Sequence, residues 1–267
     1  DTGKEIGTFC YRGSGPGEVA ALGPIFHFFK EKGDLKTLLF APNEEKLFIW
    51  NITQSIKRDT TVMDKQISYP WREENGGAPY YLMFLKDENT LITELQSFPL
   101  NDKEATLPAY QKRTLDTNKL LKSFSSYKKS IRNDEASILP ESFFYSNDAI
   151  KPDGTKVVQA MVHLAQLNIL DLETGHVSGY RLEGEPDFSV FKSDEKIKSY
   201  FTRVQADDNY IYAVYWGKER WERFETPHMN IIHVYDWDGN LVQKIETDYS
   251  IGQMWICLLY TSPSPRD

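Results

Sequence analysis

Short apolar runs separated by acidic or Asn-containing turns recur along the whole chain, and their period is that of strands rather than helices. Four pairs of runs carry the pattern. Residues 35–41 turn through 42–46 into 47–50, and residues 80–85 turn through 86–89 into 90–95. Residues 141–145 lead through 151–155 into 156–162, and residues 199–206 turn through 207–209 into 210–215. The turns lie about 44, 65 and 55 residues apart, which brackets the length of one propeller blade. A second hairpin follows the last two pairs. Residues 167–171 reverse at 172–175 into 176–182, and residues 231–236 reverse at Trp237-Asp238-Gly239 into 240–245. Asp-Gly between alternating runs is a strong hairpin signal, because glycine takes positive φ cheaply. Residues 110–124 hold a weaker copy, and the first copy, around residues 55–67, is blurred.

Two hairpins per repeat make four strands, which is one blade. The expected fold class is all-β: an incomplete β-propeller of about four to five four-stranded antiparallel blades. Residues 1–9 read as the end of an earlier blade's second hairpin, and residues 249–256 as the opening strand of a later blade.

Composition narrows the function classes. At 267 residues, 40% hydrophobic and 13% aromatic, the chain can bury the core that packed sheets need. The longest apolar run, residues 210–216, is strand length and far short of the roughly 20 residues of a membrane helix. A formal charge of −8 argues against nucleic acid, which calls for Lys and Arg gathered on one face. None of the five histidines (His27, His163, His176, His228, His233) pairs at helical spacing, so no metal and no cofactor is expected. The Asp236–Asn240 stretch has some letters of a calcium loop. Its Gly239 comes too early, no bidentate Glu follows, and it reads as a hairpin turn. Nothing resembles a nucleophile elbow.

Residues 257–267, from Cys257 to Asp267, follow an abrupt change of composition. In order, they resemble one translated frame of a transposase-type sequencing adapter. The expected organisation is a partial propeller domain over 1–256 and a non-native tail over 257–267. Cys10 is then the only native cysteine, and no intrachain disulfide is expected.

The stretch Gly13-Ser14-Gly15-Pro16-Gly17-Glu18 supplies the positive φ and close backbone approach that a crossing between blades needs. No helix pattern and no Gly-Lys-Ser/Thr follow it, so a phosphate loop is not the reading. Gly-x-Gly-Pro-Gly-Glu after an outer strand resembles the NHL-like and TolB-like six-bladed propellers, most of all the Bacteroidetes lipoprotein type. Val19 stands where that type usually has an aromatic. The resemblance implies six blades. It also implies a periplasmic or cell-surface outer-membrane lipoprotein, whose lipid-modified cysteine would lie upstream of Asp1. It implies no established activity.

Ligands of propellers usually sit where the crossings between blades and the loops joining second and third strands meet, an expectation from fold alone. The candidate loops are residues 12–18, 69–79, 96–110, 128–140 and 218–229. Trp and Arg dominate binding hot spots through buried area and planar hydrogen bonding. The candidate ligand-binding residues are therefore Arg12, Glu18, Trp71, Arg72, Arg220 and Trp221. The other reading makes Trp71 and Trp221 caps of the blades, as local core. Without a chemically specific cluster, the expected function is a non-catalytic binding or scaffold propeller of the envelope, contacting protein, peptide or glycan. The alternative is a hydrolase or lyase acting on carbohydrate or peptide in the channel.

Overall fold

In the computed structural model, residues 5–23, 26–74, 80–95, 109–125, 145–182, 184, 197–219, 222 and 229–256 are described. They form four sheets of four strands, each in sequence order across the sheet. The pairings resolved within them are antiparallel. The first blade is β1 (Phe26–Glu31), β2 (Asp34–Ala41), β3 (Lys46–Asn51) and β4 (Met63–Ser68), with helix α1 (Ile52–Arg58) between β3 and β4. A one-turn helix, α2 (Trp71–Glu74), leads to the second: β5 (Tyr80–Leu85), β6 (Thr90–Leu95), β7 (Ala109–Thr114) and β8 (Leu120–Ser125). The third is β9 (Ser146–Ile150), β10 (Lys156–Met161), β11 (Gln166–Asp171) and β12 (Val177–Arg181). The fourth is β13 (Lys198–Ala206), β14 (Tyr210–Glu219), β15 (Ile231–Asp236) and β16 (Leu241–Glu246). Residues 257–267 lie outside the described residues, as do 1–4.

The propeller fold holds, and three details of the sequence reading are corrected. In the first blade, residues 35–50 are the second and third strands, not the first two, because β1 precedes them. The Phe26–Glu31 run lacks clean alternation. Its turn, Lys32-Gly33, has both residues at positive φ (51° and 86°), a two-residue hairpin geometry whose acidic residues, Glu31 and Asp34, belong to the strands that flank it. The blurring around residues 55–67 is α1 itself. Its cap is Asn51, whose side chain accepts from the Gln54 N–H at 2.9 Å. In the third blade a first strand, Ser146–Ile150, is made of mostly polar residues that hid it from the sequence reading, and residues 141–144, where that reading begins the blade, lie outside the described residues. Finally, residues 5–9 and 249–256 form no strand.

The turns repeat one device. Asp171 accepts from the Glu173 and Thr174 N–H groups, Asp207 from Asn209 and Tyr210, and Asp236 from Asp238 and Asn240. The Thr174 N–H first of all holds the Asp171 carboxyl below its usual range. Burial pushes the Asp236 carboxyl up, but the Asn240 side chain and N–H outweigh it. The Asp236–Asn240 stretch is thus a hairpin turn, as the sequence indicates.

The chain divides into two compact units, residues 1–96 with 109–123, and residues 97–108 with 124–267. In the first, Phe40, Tyr69, Trp71 and Tyr80 gather with ring centroids 5.8–6.4 Å apart, among Leu38, Leu47, Leu91 and Leu115. In the second, Val158, Leu167, Ile169, Phe201, Ile211, Tyr235 and Trp237 form one core across the third and fourth blades.

Candidate functional site

A cavity of about 210 Å3 opens in the second unit. It lies at the end where β9 and β13 begin and where the β10–β11 and β14–β15 connections run. Tyr145 precedes β9, Ser199 stands near the start of β13, Val162 follows β10, and Met229 precedes β15. This is the end of a blade at which the sequence reading places ligands. Ile251 and Gly252 close one side, held by the Ile251 N–H to the Met229 carbonyl at 2.7 Å.

The cavity exists because the β13–β14 ladder breaks there. Ser199 faces Lys218 and Arg203 faces Val214, but between them Phe201 faces Tyr215, one position out of step. Two compensating bulges result. Trp216 and Gly217 share one place in the ladder, with Gly217 at φ 69°, and Thr202 is the extra residue on the other strand. Bulges of this kind re-aim side chains, and they concentrate next to functional sites. Here they turn Thr202 and Trp216 into the cavity wall.

Under that wall lies a packed aromatic bed. Phe201 meets Tyr215 and Tyr235 edge-on, and Tyr215 stacks on His233 at 4.3 Å between centroids. His233 Nδ1 is 3.0 Å from the Tyr235 hydroxyl. Burial, aided by the Lys244 charge, pushes the His233 imidazole down to about 4, so the ring is neutral at pH 7. Burial, with Tyr215 beside it, raises the Tyr235 hydroxyl.

The wall itself is rich in donors. Arg203 is exposed and anchored by a hydrogen bond from Nη1 to the Thr202 carbonyl at 2.5 Å. The Asn147 amide donates to the Phe201 carbonyl at 3.2 Å. Trp216 is 7% exposed, yet among the described residues its Nε1 has no partner, and neither does Thr202 Oγ1. Leaving a buried polar group unsatisfied costs about 1–3 kcal/mol. Most buried groups in native proteins avoid it.

The residues singled out from the sequence have other settings. Glu18 folds back on its own loop. Its carboxylate accepts from the Gly15 N–H at 2.8 Å, and a Cβ on Gly13 would lie 2.0 Å from Oε2. Gly17, at φ 79°, rests on Thr61, beyond α1. Val19 is buried against Leu39, Ala41 and Phe48. Arg12 is exposed and paired in backbone with Val19. Cys10 is a free cysteine whose N–H bonds Thr61, and burial pushes its thiol up to about 11. Trp71 is core. Its Nε1 donates to the Pro42 carbonyl at 3.0 Å, and it follows the capping reading. Arg72 lies 5.0 Å over the Trp71 ring and 3.7 Å from Glu45, in the β2–β3 turn. The 13–18 loop and Arg72 are thus held at different ends of the first blade. Arg220 and Trp221 lie outside the described residues, as does His228. No group of three or more His, Cys, Asp or Glu suited to a metal occurs among the described residues. No described helix is long and apolar enough to cross a membrane.

The cavity residues Tyr145, Thr202, Arg203 and Trp216 escape the sequence reading. One signal for them was present: Gly217 interrupts the longest apolar run directly after Trp216.

The profile of the TolB-like 6-blade propeller-like family matches residues 4–256. No curated protein matches the chain. Among solved structures, one of unknown function from Bacteroides caccae is similar at 11% identity and a TM-score of 0.43. The match covers 85% of this chain and 68% of that one. Virginiamycin B lyase from Staphylococcus aureus is similar at 11% identity and a TM-score of 0.40, with 84% and 55% covered. A functionally unknown protein from Desulfotomaculum acetoxidans gives 10% and 0.39, with 80% and 54% covered. The chain thus spans little more than half the length of the last two.

Proposed function

Because the chain belongs to the TolB-like 6-blade propeller-like family, we propose that it is a binding propeller of the bacterial envelope that takes its ligand in the β9–β13–β14 cavity without transforming it. One observation carries this reading: a compact cavity, built by two compensating bulges, whose wall holds a buried indole N–H and a hydroxyl without partners. Its residues offer donors and apolar surface for recognition. No carboxylate, imidazole or thiol stands among the described residues that line it, so the hydroxyls of Tyr145, Ser199 and Thr202 have no such base in the lining to activate them. That favours binding over the hydrolase or lyase alternative. The envelope location is part of the proposal through the likeness of residues 13–18. Recovery of the upstream coding sequence with a signal peptide and lipid-modified cysteine is the expected outcome.

The test is a screen of glycans and short peptides against the full chain, with Trp216→Phe and Thr202→Val in parallel. Ligands that bind the parent, are lost or weakened in both variants, and are recovered chemically unchanged support the reading. Ligands indifferent to both variants, or converted to product, defeat it.

A further inference from the structure

Resting on that reading, we infer that the cavity is built for one acidic sugar residue, a pyranose ring bearing a carboxylate. Three features of the lining point there. The first is charge: among the described residues that line it, Arg203 is the only cation and no carboxylate accompanies it, and its head is steadied by the Thr202 carbonyl. A fixed guanidinium facing an open cavity is suited to a carboxylate, which it meets with two parallel hydrogen bonds. In an acidic chain of formal charge −8, such a lining is a local departure that selects for an anion.

The second feature is the distribution of neutral groups. Ser199 offers a hydroxyl and Asn147 an amide, groups that both donate and accept, while Thr202 Oγ1 and Trp216 Nε1 are sealed within the wall behind them. Neighbouring hydroxyls on a sugar ring are also both donors and acceptors, so they satisfy such a set in any order. A peptide end is instead captured through strings of backbone groups.

The third feature is size and surface. About 210 Å3 is below the roughly 300–1,000 Å3 of pockets that enclose drug-sized ligands, and so admits one ring. Tyr145, 49% exposed at the mouth, offers an aromatic face for the apolar side of that ring.

The experiment is titration calorimetry on the full chain with glucuronate and galacturonate, glucose and galactose, and N-acetylalanine as a peptide-type carboxylate. Arg203→Gln is the variant, since an exposed arginine can be exchanged without disturbing the core. At least one sugar acid is expected to bind about tenfold or more tightly than its neutral sugar, because a charge-assisted bond outweighs a neutral one. Arg203→Gln is expected to erase that preference. The inference is overturned if neither acid binds, if neutral sugars bind equally well, if N-acetylalanine binds as tightly as the acids, or if Arg203→Gln leaves the acid affinity unchanged. None of these outcomes touches the broader binding reading. That reading stands or falls with the Trp216 and Thr202 variants against whatever the screen finds.

Discussion

Trp71 in the first unit and Trp216 in the second are each 7% exposed, and they differ by one hydrogen bond. Trp71 sits among Phe40 and Tyr80 and gives its N–H to the Pro42 carbonyl, so every part of it is used by the fold. Trp216 is as deeply placed, but its N–H has no partner and its ring borders an opening. Trp237 sides with Trp71, donating to the Asp207 carbonyl at 3.1 Å. Composition cannot separate the three, since each is a tryptophan beside a turn or bulge. What separates structural from available tryptophan is whether the local backbone brings a carbonyl to the indole.

The largest effect expected from this contrast is at Trp71. Trp71→Ala should lower the unfolding free energy by about 3–5 kcal/mol, the range for removing a large aromatic from a packed core. Urea denaturation followed by circular dichroism measures it. A loss below about 1 kcal/mol would mean that the aromatic cluster of the first unit is not a core, and the contrast with Trp216 would collapse.

Acid comes next, and it acts on one histidine in each unit, the half-buried His27 and the buried His233. His27 stacks on Phe84 at 3.9 Å and accepts from the Leu85 N–H at 3.1 Å, and burial pushes it down to about 4. His233 is pushed down to about 4 as well. In both cases the unfolded chain, titrating near 6.5, binds the proton first. Their contribution is therefore complete above about pH 6.5, falls as pH drops from there to about 4, and changes no further below. Each shift corresponds to about 3 kcal/mol across that window. His27→Gln and His233→Gln should each flatten part of the acid limb of stability against pH. An unchanged limb in both would show that neither imidazole is held neutral by its surroundings.

The strand pattern was legible wherever a turn carried Asp or Asn. The Asp207 and Asp236 hairpins lie where the sequence places them, because a short carboxylate that caps its own turn leaves a visible letter. The reading slipped at Lys32-Gly33, where positive φ on both residues makes the turn and the acidic residues, Glu31 and Asp34, sit in the flanking strands. It slipped again at Ser146–Ile150, a polar strand. The cavity was less legible for a different reason. A ladder that loses step between Ser199 and Arg203 and regains it shows no net change in spacing, so periodicity cannot reveal it. Trp71 and Arg72 drew notice as an aromatic beside a cation, yet that pairing serves to stack one on the other and tie Arg72 to Glu45.

A smaller effect is expected in the glycine-rich loop, where the sequence motif describes a self-contained turn. Glu18→Gln keeps the shape but weakens a charge-assisted bond to the Gly15 N–H, and Gly13→Ala places a Cβ against the carboxylate that makes it. Each should cost about 1 kcal/mol, with no change in ligand binding at the cavity of the second unit. Equal losses in the two variants, no larger when combined, would show that both act through the one Glu18–Gly15 contact.

The smallest expected change is the most telling for the two kinds of tryptophan. Trp237→Phe and Trp216→Phe remove the same atoms and leave comparable gaps, so their difference isolates the indole hydrogen bond. At Trp237 the substitution breaks the bond to the Asp207 carbonyl and should cost about 1 kcal/mol more than at Trp216, where there is no bond to lose. Removing an unsatisfied buried donor also returns its desolvation penalty, so Trp216→Phe should lie close to neutral. Thr202→Val, which replaces the other unpartnered group by one of similar shape, should behave likewise. If Trp216→Phe instead destabilises as much as Trp237→Phe, the Trp216 N–H has a partner in solution, such as an ordered water. The cavity then keeps its shape, and the donor sealed behind its wall is no longer unmet.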